Sequence, residues 1–198
     1  MMLIEQTTVP GAALPVQGLK DHLRLGTGFT DDGMQDALIE TYLRAAMAAI
    51  EGRIGKALIA RRFLLTLQDW RDQAEQALPV APVSAVVSVT LVNGAGVPGV
   101  VAASRYRLVP DMHRPKLAAA GILLPSVPAE GRIEVVFDAG FGTAWAQVPA
   151  DLAQAVLLLA AQFYERRLDG GAVTGLPFAV QALIERWRTV RILGGGGA

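Results

Sequence analysis

The sequence holds no cysteine, so disulfides and thiolate zinc sites are excluded and the redox environment leaves no mark on it. Charge is scarce as well. Asp, Glu, Lys and Arg make up 18% of the 198 residues, where the surface of a solitary domain usually carries about a quarter or more. What charge there is balances, with 18 basic against 18 acidic residues. Such a chain lacks the concentrated basic charge that phosphate neutralisation needs, which argues against general nucleic-acid binding but leaves room for a local basic lining. Long hydrophobic runs are missing too. The longest, near Val156 to Ala161, falls far short of the roughly 20 residues that span a bilayer. The start, Met1-Met2-Leu3-Ile4-Glu5, has neither the positive residues nor the apolar core of a signal peptide. No membrane role is expected.

Apolar residues, by contrast, reach 52%, which excludes a disordered chain and suffices for one core, or one core with an appendage. Two readings of the low charge stand side by side. One is an alanine-rich composition inherited from a GC-rich genome; the other is a surface covered by further copies of the same chain.

Hydrophobic periodicity divides the chain into helical, strand-rich and helical sections. After a turn-rich lead-in at Pro10 to Pro15, a helix is expected near 16–25, with Val16, Leu19 and Leu23 on one stripe. A second is expected near 32–56. Asp32 and Gln35 have the spacing of a capping box, and Asp31-Asp32 suits the positive end of a helix dipole. Strands are expected at Arg62 to Trp70, Val83 to Val92, Tyr106 to Val109, Ile122 to Leu124 and Ile133 to Phe137, with Pro110 to Gly121 as a loop. The third helix, near 149–168, has Pro149 at its first position and Asp151 in its first turn, and carries the main apolar face through Leu152, Val156, Leu159 and Phe163. A short fourth helix near 178–190 precedes the glycine-rich end. The fold class is therefore α+β, mainly α, a single domain over 1–198 in which a helical bundle core holds a small β-rich insertion at 62–137.

No constellation of residues is placed to do chemistry. His22 and His113 have no partner at metal-ligand spacing, and zinc needs three or four converging ligands. Ser84, Ser88, Ser104 and Ser126 lack the strand–turn–helix setting of a nucleophile elbow. The glycines between Gly94 and Gly99 lack the Lys-Ser/Thr that completes a phosphate loop. Asp31, Asp32 and Glu51 cannot converge into a hydrolase site within one chain, since Glu51 lies roughly 28 Å along the helix from Asp32 at 1.5 Å per residue; only a site between subunits would allow it. No catalytic residue, metal or cofactor is expected, and the chain is not expected to be an enzyme. The concentrated charge and aromatic feature is Arg186-Trp187-Arg188, followed by Val190, Arg191, Ile192 and Leu193. Two readings of it stand side by side: solvated helix ends, with arginines favourable near the C-terminal dipole, or docking, since arginine and tryptophan are enriched at interface hot spots.

One ordered series of short motifs carries a resemblance. Leu14-Pro15-Val16, Leu19-Lys20-Asp21-His22-Leu23-Arg24, Asp31-Asp32, Ile50-Glu51 and Gly55-Lys56-Ala57-Leu58-Ile59 come first. Leu78 to Val86, Ala139-Gly140-Phe141-Gly142, Val148-Pro149-Ala150-Asp151-Leu152 and Phe163-Tyr164-Glu165-Arg166-Arg167 follow. In order and spacing the chain resembles the head–tail connector, or adaptor, proteins of long-tailed phages. More narrowly, it looks like the version carried by the gene transfer agent of Rhodobacter capsulatus. The resemblance implies a structural virion part that forms a twelve-subunit ring, monomeric or not in isolation. It implies a portal protein above, stopper and tail-terminator proteins below, and double-stranded DNA passing through without specific binding. It places the protein in the particle neck, and in the host cytoplasm before assembly. It also implies that the C-terminal tail, 187–198, orders on the portal, with Arg186, Trp187, Arg188, Val190, Arg191, Ile192 and Leu193 as the binding residues. A DNA-binding accessory or packaging protein is the alternative, ahead of a small hydrolase.

Overall fold

The computed structural model describes residues 1–25, 35–167 and 175–188. Among the described residues, four α-helices form one layer: α1 (Val16–His22), α2 (Asp36–Ile54), α3 (Ala150–Glu165) and α4 (Phe178–Ile184). In α3 the buried residues Leu152, Ala155, Val156, Leu159 and Ala160 fall at i, i+3, i+4, i+7 and i+8, the stripe a core-facing helix needs. Its small residues let α2 approach closely, and α2 answers with Ile39, Leu43, Ala46, Met47, Ile50 and Ile54. Tyr42 and Tyr164 close this contact edge-to-face, with ring centroids 5.9 Å apart. Gly55 ends α2 in the left-handed conformation, its N–H donating to the Glu51 carbonyl at 2.8 Å.

The β layer begins at the N-terminus. Strands β1 (Met2–Glu5), β2 (Arg61–Leu67), β3 (Glu75–Ala77), β4 (Val83–Val92), β5 (Pro98–Val100), β6 (Tyr106–Val109), β7 (Lys116–Ala119) and β8 (Arg132–Ala139) build two sheets. The larger has the order β1-β2-β8-β4-β5, the smaller β3-β7-β6, and every neighbouring pair is antiparallel. In the central strand β8, Ile133, Val135, Phe137 and Ala139 are buried while Arg132, Glu134, Val136 and Asp138 face the other way. Phe137 stacks on Phe63 at 5.6 Å. The two sheets share a core that includes Leu65, Leu117 and Leu124, distinct from the core of the helical bundle.

The chain crosses between the two cores at residues 55–61. Ala57 N–H donates to the Ala81 carbonyl at 2.9 Å, and Ala60 N–H to the Gly142 carbonyl at 2.7 Å. Gly140 makes the crossing possible. Its φ is +141°, and an added Cβ would sit 2.4 Å from the Ala60 Cα, inside the backbone it packs on.

Several expectations are corrected. Ile122 to Leu124 is not a strand; Ile122 and Leu123 are exposed and only Leu124 is buried. The expected loop at Pro110 to Gly121 contains β7. Met2–Glu5, for which the sequence reading named no element, supplies an edge strand to the large sheet. Described α2 starts at Asp36, with Gln35 at its N-cap making no capping bond. Pro149 stands one position earlier than expected, as the N-cap of α3, where its carbonyl accepts from Ala153 N–H at 2.9 Å. Asp31 and Asp32, and the end of the third helix as expected near 168, lie outside the described residues.

Replacing Gly140 by alanine is expected to lower stability by more than about 2 kcal/mol, since backbone strain and a backbone clash combine. Gly52→Ala in α2, where an added Cβ meets nothing within 4 Å, should raise it by roughly 0.5–1 kcal/mol. Urea unfolding followed by circular dichroism measures both, and equal effects at the two sites would contradict the crossing geometry.

Candidate assembly site

The C-terminal end of the described chain is fastened to the body. Val180 and Ile184 bury one side of α4, and a 3₁₀ turn, Glu185–Trp187, brings Trp187 around to the same side. There Trp187 Nε1 donates to Asp151 Oδ2 at 2.7 Å, and its ring meets Phe141 edge-to-face at 5.4 Å. Arg186 Nε lies 2.8 Å from the same Asp151 oxygen, with its guanidinium 4.7 Å above the indole. Asp151 also accepts the Leu152 N–H at 3.0 Å, in the first turn of α3 where the helix dipole favours a carboxylate. Arg188 pairs with Glu185 at 2.9 Å. One carboxylate at a helix start thus holds the last described turn.

A second polar cluster ties the N-terminal strand to the crossing. Glu51 accepts from Arg61 Nη1 at 3.0 Å and Nη2 at 2.7 Å, and from Leu58 N–H at 2.7 Å. Glu5 Oε2 approaches Arg61 Nε at 2.7 Å, too obliquely for a hydrogen bond, as an ion-pair contact. Burial pulls the Arg61 guanidinium down, but the hydrogen bonds and charge of Glu51, joined by Glu5, outweigh it and raise its pKa. Nearby, the buried Lys56 donates to the Met112 carbonyl and lies 3.2 Å from His113 Nδ1. Burial lowers its pKa below the ordinary lysine range, partly offset by Asp111.

Among the described residues no three His, Asp or Glu side chains come together as metal ligands. A groove of about 650 Å³ runs between α2, α3 and the start of α4, lined by Ala49, Gly52, Arg53, Leu159, Phe163 and Leu176. Its walls offer no paired acid and base. What the surface does offer is exposed aliphatic and aromatic residues at separate places, among them Met1 with Met2 to Ile4 of β1, Val97 and Val100 at β5, Ile122, and Phe178. Of these only Met1 to Ile4 form a continuous stretch, and exposed apolar residues scattered singly are ordinary.

No family model and no curated protein matches the chain. Solved structures do. A chain in the neck of an empty gene transfer agent particle, treated with sixfold symmetry, is 60% identical, with a TM-score of 0.90 over 98% of this chain and 99% of that one. A chain in the virion of a native gene transfer agent particle gives 60% and 0.87, and one in a native neck treated with twelvefold symmetry gives 56% and 0.85, at the same coverage. The chain belongs to the head–tail connector proteins of gene transfer agent necks. That makes it a structural part of the particle neck and not an enzyme.

The connector's sequence-predicted site residues are separated by the structure. Arg186, Trp187 and Arg188 lie on the body, engaged with Asp151 and Glu185, so the tail expected to begin at Trp187 is packed at its first residues. Val190, Arg191, Ile192 and Leu193 lie outside the described residues. Of the expected caps, Asp151 sits in the first turn as read, and Gln35 instead accepts a hydrogen bond from Tyr164 Oη at 3.3 Å. The Asp151–Trp187 contact and the Glu51–Arg61 pair were missed, because each joins separated segments that no local spacing relates.

In a double-mutant cycle, Asp151→Ala and Trp187→Phe should couple by roughly 0.5–3 kcal/mol in unfolding free energy; additive effects would mean the indole is not held there. Lys56 gives a pH dependence. Its folded pKa lies below its unfolded one, so the unfolded chain binds more protons in between. Stability should therefore rise as pH climbs through the folded value toward about 10.4. Relative to Lys56→Met, wild type should show that additional rise in urea titrations, and parallel profiles would contradict it.

Proposed function

We propose that this connector forms a ring between the portal above and the stopper and tail-terminator proteins below, with the DNA channel on its axis. The observation that carries this is the near-full-length match to neck chains in particles treated with sixfold and twelvefold symmetry. Twelve copies is the number that twelvefold symmetry favours. A neutral, charge-poor chain suits subunits that lie side by side without mutual repulsion. Low basic charge also suits a channel wall, since tight phosphate contacts would stall passing DNA. In isolation the chain can remain monomeric, with the portal serving as template.

The portal contact is proposed in the C-terminal segment, beyond the turn that Asp151 holds. With Trp187 engaged on the body, the proposed anchor is Val190, Arg191, Ile192 and Leu193. Their apolar side chains fill a crevice between portal subunits while the arginine meets acidic groups at its rim. Arg186, whose side chain is 70% exposed despite its ion pair, stands where it can add to that rim.

Truncation after Arg188 tests the assignment. The shortened protein should keep its unfolding midpoint and lose the joining of filled heads to tails. Gene-transferring particles at normal yield would move the anchor elsewhere. The alternative, a DNA-binding accessory protein, predicts retention of the full chain on double-stranded DNA at low salt, where the connector should wash through.

A further inference from the structure

Among the described residues the large sheet ends in two exposed edges, β1 and the short, proline-bearing β5. Solitary proteins blunt such edges with lysine, proline, bulges or a covering element. Here β1 is exposed along its whole length, and Met1, Met2, Leu3 and Ile4 are all apolar. At the opposite edge β5 is exposed throughout, with Val100 77% accessible.

Hydrogen bonding fixes which backbone groups are free. Gln6 N–H donates to the Arg62 carbonyl at 2.8 Å. By the alternation of antiparallel ladders, Met2 and Ile4 turn toward β2 while the N–H and C=O of Leu3 and Glu5 turn outward. Asn93 N–H donates to Val97 and Val101 N–H to Val89, at 3.1 and 2.8 Å. The same alternation turns the Pro98 carbonyl and both polar groups of Val100 outward. Since every neighbouring pair in the order β1-β2-β8-β4-β5 is antiparallel, β1 and β5 point the same way.

Resting on the ring reading above, we propose that adjacent connector copies join their large sheets edge to edge, β5 of one subunit pairing in parallel with β1 of the next. A closed ring needs two different, complementary surfaces on each copy, and rotation about the axis keeps strand direction, so this junction must be parallel. The free groups match in one register. Val100 lies opposite Ile4 of the next copy, its N–H donating to the Leu3 carbonyl and its carbonyl accepting from Glu5 N–H. Leu3 N–H reaches the Pro98 carbonyl, so the missing proline N–H removes only the terminal bond of the ladder. Side chains agree as well. Ile4 shares a sheet face with Leu64 and Val136, and Val100 shares one with Thr90 and Glu134. Val136 and Glu134 are two apart on β8, so Ile4 and Val100 lie on the same face. Twelve five-stranded sheets at ~4.8 Å per strand would close at a radius of about 46 Å.

The absence of native cysteine makes the test clean. Ile4→Cys/Val100→Cys, incorporated into particles and oxidised, should give a ladder of disulfide-linked multimers beyond the dimer, which neither single variant gives. Two cysteines fit side by side at this register. Normal particle yield with no ladder would overturn the proposal, as would cross-links to another neck protein or loss of particles under reducing conditions. Leu3→Pro removes an outward donor that β2 does not use, so the monomer should keep its thermal midpoint while particle yield falls at least tenfold. Unchanged yield would overturn the junction, and so would a melted monomer. Copy number in wild-type particles, by quantitative mass spectrometry, separates the two ideas. One or two copies per neck would end the ring reading, whereas many copies with no ladder would end only the edge pairing.

Discussion

The buried pair of Arg61 and Glu51 sits where the chain passes from its helical core to its β core. The Arg61 and Glu51 side chains are 9% and 12% exposed, and breaking a buried pair by removing one partner typically costs about 3–5 kcal/mol. Three segments converge on it. Glu51 closes α2, Arg61 opens β2, and Glu5 brings in the N-terminal strand. Beside it, the close approach of Gly140 to Ala60 sets how β8 and Phe141 meet the bundle. Phe141 then backs Trp187, so the position of the C-terminal turn derives from the same crossing. The geometry presented to partners at both chain ends depends on this one junction.

That dependence suits a part whose function is placement. The connector has no reacting atoms to align, and the bundle and sheets instead hold surfaces at fixed relative positions. The edge strand β1 is both a member of the large sheet and, through Glu5, a member of the ion cluster. Asp151 acts at once as a dipole-favoured residue in the first turn of α3 and as the acceptor that fixes Trp187. Each ties a prospective contact to the rigid part of the molecule, which limits the ordering entropy that association must overcome.

The helical layer was legible in the sequence because α3 and α2 carry uninterrupted core stripes, and β8 was legible because it alternates strictly. Legibility failed where burial and periodicity part company. Met2 to Glu5 is exposed on both faces and so shows no alternation, and β7, Lys116–Ala119, is short and rich in alanine. Ile122 and Leu123 suggested a strand through their hydrophobicity, yet they lie exposed in a loop. Trp187 read as part of a free tail because its partner, Asp151, is 36 positions away. The family resemblance, by contrast, rested on motif order along nearly the whole chain, and the 60% identity over 98% of it bears that out.

In the ring proposed for this neck, the chain repeats around the particle axis. An electron cryo-microscopy map of particles assembled with it, reconstructed first without imposed symmetry, tests that most directly. Twelve equivalent copies should encircle an open channel, with the C-terminal end of each running from its Trp187 site toward the portal. One or two copies off the axis, or density for this chain across the channel, would contradict the ring.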